Sequence, residues 1–380
     1  MKILQIHNRY RLSGGEDAVV RTEASLLRQA GHQVTQHIVS NPGANLAAAA
    51  TLALAPWNPL ARANVIRAAS TGFDVAHVHN TWYALSPSVL SALKRSGLRV
   101  VMTAHNYRLA CINAQLTRDN QACLTCVGSS PWPGVRYNCY RGSKPSSAIA
   151  ASTVSLNRRL DTWNRSVDAF LAPTPYVASI LEKSGVRADR IFVKPHLVLD
   201  PGPRSSPPSA STEVLFVGRV SREKGLDLVL SSWPRLAESR MRLTIIGEGP
   251  LLAELQATYP FADFRGRLSP EKVRSLMLKA RALIFPSLVP ESFGLALVEA
   301  MACGLPVLTN THLPILSLLK GDSGLVALEP SSESWSRGLS QLEADGAVDS
   351  RGDLARSAYL AGFSPQTGLP ALEHYLRGDY

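Results

Sequence analysis

Residues 286–307, PSLVPESFGLALVEAMACGLPV, decide how the rest of the chain is read. Pro286, Ser287 and Pro290 make a turn-rich loop, a helical pattern runs from about Phe293 to Cys303, and Gly304 with Pro306 stops it. Glu291 stands just before that helix and Glu299 inside it, eight positions on. At helical rise the two carboxylates are about 12 Å apart along the axis. Between them the first helical amides, near Phe293, Gly294 and Leu295, lack intrahelical partners and carry the positive end of the dipole. The stretch therefore suits a ligand with hydroxyls at each end and an anion in the middle, as in a nucleotide sugar. An ordinary amphipathic helix with two solvated glutamates reads the same way in isolation, so the flanking sequence has to decide. The separation is too long for two carboxylates that flank one scissile bond.

Working outward, a strand pattern at Ala282–Phe285 leads into the stretch, preceded by others at Ala262–Arg265, Leu243–Ile246 (followed by GEGP) and Glu213–Val217. The last runs directly into GRVSREKG, Gly218–Gly225, ahead of a helix expected over Leu226–Leu236. Arg219 and Lys224 on that loop are placed to hold phosphate charge, since cations at a helix start otherwise oppose the dipole. Upstream, residues 200–212 are rich in Pro and Ser without periodicity and read as a linker.

Before the linker the pattern is the same. Strands are expected at Ile3–His7, Gln33–Val39, Val75–His79, Arg99–His105, Ala169–Ala172 and Ile191–Lys194, separated by helical stretches. The loop Asn8–Asp17, with Ser13, Gly14 and Gly15, precedes a helix at Ala18–Ala30, and its glycines allow backbone amides to approach an anion. It lacks the third glycine and downstream acid of a dinucleotide fingerprint. Alternation of strand and helix predicts parallel, doubly wound sheets in both halves, with ligands at the carboxyl ends of the strands. His79 and His105 fall at such ends and are candidate site residues.

A chain of 380 residues with 45% hydrophobic content is long for one α/β core and implies two domains: 1–199 and, after the linker, 213–364. Residues 365–380 read as a final helix returning to the first domain. The longest apolar run, Ala44–Trp57, is too short and too interrupted to span a bilayer, and MKILQIH enters strand pattern with no leader-like segment. Residues 1–200 hold 22 of the 40 Lys and Arg but 10 of the 29 Asp and Glu, a local charge of +12 against −1 for the remainder. This basic half suits an anionic membrane surface or a pyrophosphate-linked acceptor. Basic runs interleaved with aromatics are lacking, which argues against nucleic acid.

Four of five cysteines cluster as Cys111, Cys123, Cys126 and Cys139, with one CxxC pair, inside an insertion at 106–145 that is poor in core-forming residues. In a chain read as not exported, this points to a structural zinc site before disulfides. Cys303 reads as a small buried side chain.

In combination, SGGED after the first strand, TAHN, VGRVSREKG, IIGEGP and the opening stretch resemble the retaining glycosyltransferases of family 4, over nearly the whole chain. The resemblance implies the GT-B fold, two Rossmann-like domains facing each other across a cleft, and transfer from a nucleotide-diphosphate sugar of UDP or GDP type to a sugar or lipid-linked acceptor. It implies catalytic roles for His105, Arg219, Lys224 and Glu291. Donor contacts would come from Gly14, Gly15, Gly218, Arg219, Lys224, Glu291, Phe293, Gly294, Leu295 and Glu299, with Glu291 on sugar hydroxyls and Glu299 on the ribose. It further implies metal-independent chemistry, with no catalytic cofactor, and a setting in bacterial polysaccharide assembly, cytoplasmic or peripheral on the inner membrane face. Alternatives are another GT-B chemistry, such as a 2-epimerase or inverting transferase, and a noncatalytic nucleotide-sugar binder.

Overall fold

The computed structural model describes all residues except 11–13, 44–45, 71, 120, 234–238 and 345. Ser13, the first two residues of the apolar run at 44–57 and the last three of the helix expected over Leu226–Leu236 therefore lie outside the described residues. The chain divides into two compact units. The first comprises residues 1–118, 123–197 and 368–380; the second comprises 119–122 and 198–367.

The first unit holds a six-stranded sheet of β1 (Lys2–Arg9), β2 (Gln33–Ser40), β3 (Val75–Asn80), β4 (Arg99–Thr103), β7 (Ala169–Ala172) and β8 (Ile191–Val193). Its order is β2-β1-β3-β4-β7-β8, and every pairing is parallel. Between β4 and β7 lies a small hairpin of β5 (Thr117–Arg118) and β6 (Gln121–Ala122). The strands are short runs of Val, Ile, Leu and Ala because both faces are covered. Leu4 and Ile6 face one core with Val78, Val100 and Phe170, while Ile3 faces another with Val75, Val101 and Leu171. Leu372 and Leu376, from the helix Pro365–Arg377, belong to that second core.

The second unit repeats the design with β9 (Glu213–Val217), β10 (Arg242–Ile246), β11 (Asp263–Phe264), β12 (Ala282–Phe285), β13 (Val307–Asn310) and β14 (Leu325–Leu328), in the order β11-β10-β9-β12-β13-β14, again all parallel. Val214 and Phe216 face one core and Leu215 the other. Strands β13 and β14 were not anticipated from the sequence; β13 starts immediately after Pro306, four residues past the end of the preceding helix. Residues 198–212 lie on this unit, where the half-buried Arg204 donates to the carbonyls of Ala280 (2.7 Å) and Gly304 (3.2 Å) and Ser209 binds Asp349. Among the described residues no helix is long and apolar enough to cross a membrane.

Candidate functional site

In the second unit the strand order reverses between β9 and β12, where open parallel sheets leave a crevice at the carboxyl ends. The loops that follow these two strands, 218–225 and 286–294, carry the residues singled out from the sequence. Glycines bring their backbones into direct contact. A Cβ on Gly225 (φ +67°) would lie 2.1 Å from the Pro286 carbonyl oxygen, and one on Gly249 2.1 Å from that of Val220. Val220 N–H donates to Glu248 (3.0 Å), Leu251 N–H to Val220 (3.1 Å) and Leu288 N–H to Glu223 (2.9 Å).

On this frame the Lys224 ammonium meets Glu291 Oε1 at 2.5 Å, and the Ser287 hydroxyl donates to the same oxygen at 2.6 Å. Both members of the pair are partly exposed, so it is an accessible site rather than a sealed core pair. Arg219 is exposed and has no carboxylate partner among the described residues. The Ser221 hydroxyl on the same loop is buried without a hydrogen-bond partner among the described residues. Asn310, at the end of β13, donates to the carbonyls of Pro286 (2.8 Å) and Ser287 (3.0 Å), and its own oxygen accepts from the buried Trp335 indole (2.9 Å). Ser287, Ser221 and Asn310 were missed from sequence; only Ser287, four residues before Glu291, carried a local signal.

The helix begins at Leu295 and ends at Ala302, two residues later and one earlier than expected. Gly294 has φ +93°, a left-handed conformation that cannot be helical, and Phe293 is buried in the core against Phe363. The expected anion-facing amides thus reduce to the first turn from Leu295 onward, since Leu297 and Val298 N–H already reach Gly294. Glu299 is half-buried, and burial pushes its carboxyl up to about 7, offset in part by Arg274.

In the first unit the strand ends gather a buried polar network that sequence reasoning saw only at His79 and His105. It also contains His7, His77, His196, Glu23, Lys194 and Gln5, all essentially inaccessible. The HVHN spacing at the end of β3 was an available signal, because His77 and His79 must share a face. Lys194 and Glu23 form a buried ion pair. Burial and neighbouring positive groups hold His79 and His105 well below the usual imidazole range, His77 near about 4 and His196 near about 3. The network therefore sets four neutral imidazoles, His77, His79, His105 and His196, around one ion pair, which is how buried charge is tolerated. Glu23, His77 and His79 have candidate ligand atoms within 4.8 Å of one another. Lys194 already neutralises Glu23 there, so the trio is not suited to a metal cation.

The hydrogen bonds also fix a tautomer. Gln5 Nε2 lies 3.2 Å from the Val20 carbonyl, which can only accept, so this end of the amide is the NH2 group; Gln36 donates to its oxygen at 2.6 Å. The same NH2 is 3.1 Å from His79 Nε2, which must then be the bare nitrogen. His79 Nδ1–H donates in turn to His105 Nε2 at 2.9 Å, and the His105 hydrogen is left on Nδ1. His105 lies two residues past the end of β4, stacked against His196 with ring centroids 4.9 Å apart.

Gly14 and Gly15 stand at the start of the helix Gly15–Gln29, where a Cβ on Gly14 would meet nothing within 4 Å. The Gly14 amide, however, donates to Asp17 Oδ2 at 2.9 Å, and Asp17 also binds His7 at 3.0 Å. Burial, with Asp17 beside it, raises the Glu16 carboxyl to about 8. The Asp17 carboxylate and a protonated Glu16 thus occupy the first turn, which favours a hydroxylated ligand there over an anion. The four cysteines of the insertion line one cavity of this unit and form no disulfides.

Sequence models of two families match the chain: Glycosyltransferase Family 4 over residues 13–198 and Glycosyl transferases group 1 over residues 203–360. Together they span both units, and the chain belongs to the family 4 glycosyltransferases, with the GT-B fold. The whole chain superposes on Anabaena HepE in complex with UDP-glucose (TM-score 0.70, 15% identity, 100% of both chains). Sucrose-phosphate synthase from Thermosynechococcus elongatus fits equally well (TM-score 0.72, 16% identity, 99% and 98% covered). Curated relatives include a GDP-mannose-dependent alpha-(1-6)-phosphatidylinositol dimannoside mannosyltransferase of Mycobacterium tuberculosis, 36% identical over 30% of this chain and 32% of that protein. The phosphatidylinositol N-acetylglucosaminyltransferase gpi3 subunit of Schizosaccharomyces pombe is 31% identical over 32% and 29%. The chain thus spans about a third of the length of these relatives.

Proposed function

We propose that this chain transfers a sugar from a nucleoside-diphosphate sugar to a hydroxyl acceptor, with retention at the anomeric carbon and without a catalytic metal. The observation that carries the reading is the accessible Lys224–Glu291 pair, fixed by Ser287 at the carboxyl ends of β9 and β12, with the exposed Arg219 on the same loop as Lys224. Lys224 has three donor hydrogens and uses one on Glu291, so it can also meet a phosphate oxygen. Arg219 and Lys224 hold the diphosphate, Glu291 the sugar hydroxyls and Glu299 the ribose. The backbone from Gly218 and at the helix start from Leu295 completes the pocket. For the first unit, the family resemblance assigns His105 to the donor sugar and Gly14 and Gly15 to the diphosphate or acceptor; the Asp17-occupied amide favours the acceptor.

As the bond from anomeric carbon to phosphate oxygen breaks, charge grows on the leaving diphosphate, and the fixed cations and helix amides stabilise it. The acceptor oxygen bonds to the same face, and its proton passes to a departing phosphate oxygen.

A lipid-linked acceptor at an anionic membrane surface is the setting we favour, in polysaccharide or glycoconjugate assembly on the cytoplasmic side. Residues 46–67 contain no Asp or Glu, expose Leu46, Leu54, Trp57, Leu60 and Ile66, and carry Arg62 and Arg67. Apolar and aromatic groups beside arginines are the composition of an interfacial surface. Two relatives with phosphatidylinositol in their names support the same setting.

Stabilisation on thermal denaturation by UDP, GDP and their sugars identifies the donor base, because only ligands of the folded state raise the transition. Transfer from the matching labelled donor, with the anomeric configuration read by NMR, is then expected to give a retained product. An inverted product, or free 2-epimer without acceptor, refutes the reading.

A further inference from the structure

We propose that Cys111, Cys123, Cys126 and Cys139 bind one structural zinc ion that holds the insertion after β4 in its fold. The four come from separate pieces of chain: the turns after β4, the end of the β5–β6 hairpin, the next turn, and the end of the short helix Pro133–Arg136. All four line the same small cavity with Ile112, Leu116 and Gly134. Cys111 and Cys126 are buried, and Cys123 and Cys139 half-buried.

The backbone of this segment needs such a clamp. Its regular structure amounts to two two-residue strands and one four-residue helix. Among the described residues, seven non-glycine positions have positive φ, and five of them lie here: Ala114, Leu116, Asp119, Asn138 and Arg141. Each left-handed residue costs on the order of 1 kcal/mol and persists only where surroundings over-determine it. Packing contributes too: Ile112 and Leu116 are fully buried, and a Cβ on Gly134 would lie 2.4 Å from the Ile112 side chain and 3.6 Å from Cys139 Cβ.

The thiols are now turned to local acceptors: Cys111 to Asn113 Oδ1 (2.9 Å), Cys123 to Thr125 (3.4 Å) and Cys126 to the Pro131 carbonyl (3.9 Å). These are the positions of protonated thiols, and metal binding requires each sulfur to turn from its local acceptor into the shared cavity. Binding exchanges four S–H protons for four Zn–S bonds of about 2.3 Å and releases the protons to solvent. The resulting tetrathiolate carries two negative charges. Arg118 lines the cavity and the Arg158 guanidinium bonds the Cys126 carbonyl (3.4 Å), so cations are at hand to balance it. A closed set of four sulfurs leaves no open position, which makes the site structural rather than catalytic.

The test uses the intact chain purified under reducing conditions from zinc-containing medium. Elemental analysis is expected to find about one zinc per chain, and reconstitution with cobalt(II) a thiolate-to-cobalt charge-transfer band with tetrahedral visible absorption. Cys123→Ser and Cys139→Ser are each expected to weaken retention against a chromophoric chelator by at least about tenfold. If those variants fail to fold, the cobalt spectrum of the unaltered chain decides alone. Absence of both bound zinc and the charge-transfer band after reconstitution overturns the proposal. So does an intact mass reduced by about 4 Da on purification without reductant and insensitive to zinc, which would mean two disulfides.

Discussion

Gly249 carries no φ constraint, which makes Gly249→Ala a clean probe of the frame under the phosphate-binding loop. The new Cβ would stand 2.1 Å from the Val220 oxygen, 2.6 Å from its carbon and 2.8 Å from its nitrogen, all backbone atoms that cannot rotate away. Real Cβ contacts stay beyond 3.0 Å, so the chain at Val220 must retreat by about 0.9 Å. Overpacking of this kind costs about 1–3 kcal/mol. The hydrogen bonds Val220–Glu248 and Leu251–Val220 weaken with it, at about 1 kcal/mol each. A loss of about 3 kcal/mol corresponds to a transition roughly 6–12 °C lower for a unit of this size. Because Arg219 is the adjacent residue, a shift near 1 Å should also weaken nucleoside-diphosphate binding by roughly 10–100-fold. Calorimetric titration with UDP and GDP at a temperature where the variant remains folded separates the two effects. A transition within 1–2 °C of the parent together with unchanged affinity would show that the loops are not in backbone contact and sink the reasoning.

Three further outcomes follow from the same geometry. Lys224→Ala and Glu291→Ala should each reduce turnover by more than about tenfold with the circular dichroism spectrum unchanged, and near-normal turnover in both would remove the proposed site. Gln5→Met removes the donor that fixes the His79–His105 tautomers. Histidine nitrogen NMR should then show His105 losing its uniform Nδ1–H form; an unaltered spectrum would disprove the relay, whereas an altered one with normal transfer would show that His105 does not touch the donor. Acid should destabilise the first unit. His77, His79, His105 and His196 have folded pKa values below the unfolded 6.5, so the unfolded chain binds more protons, and stability is lost as pH falls through 6.5 toward about 4. His77 alone, lowered to about 4 by burial, is worth about 3 kcal/mol by pH 4. A flat urea-unfolding free energy between pH 7 and pH 4.5 would contradict the neutral network.

The fold was legible where a strand is an uninterrupted apolar run bounded by turn residues, as in Glu213–Val217 and Ala169–Ala172. It was illegible in β13, where Thr309 and Asn310 break the apolar run just after a helix stop, and in β14, which its pairing with β13 alone marks out. In the site, Arg219, Lys224 and Glu291 showed because charge at a strand–loop–helix junction is locally anomalous. Asn310 and Ser221 did not, since polar residues after strands are common and only three-dimensional packing reveals what they hold. The helix start was misjudged for a local reason: Gly294 reads as a tolerable helix residue until its left-handed φ is known. Lys194 is the strongest such case, because a lysine in sequence reads as solvated, and its burial depends on Glu23 arriving from a helix 171 residues away.

The packing of residues 368–380 into the first unit has a consequence for biosynthesis. The slot beside Ile3, Val75, Val101 and Leu171 is filled by Leu372 and Leu376, which leave the ribosome only after all 170 residues from 198 to 367. At about 5–20 residues per second, the nascent first unit spends roughly 10–30 seconds with that apolar slot uncovered. During this interval the growing chain is a natural client for a chaperone that binds exposed aliphatic surface.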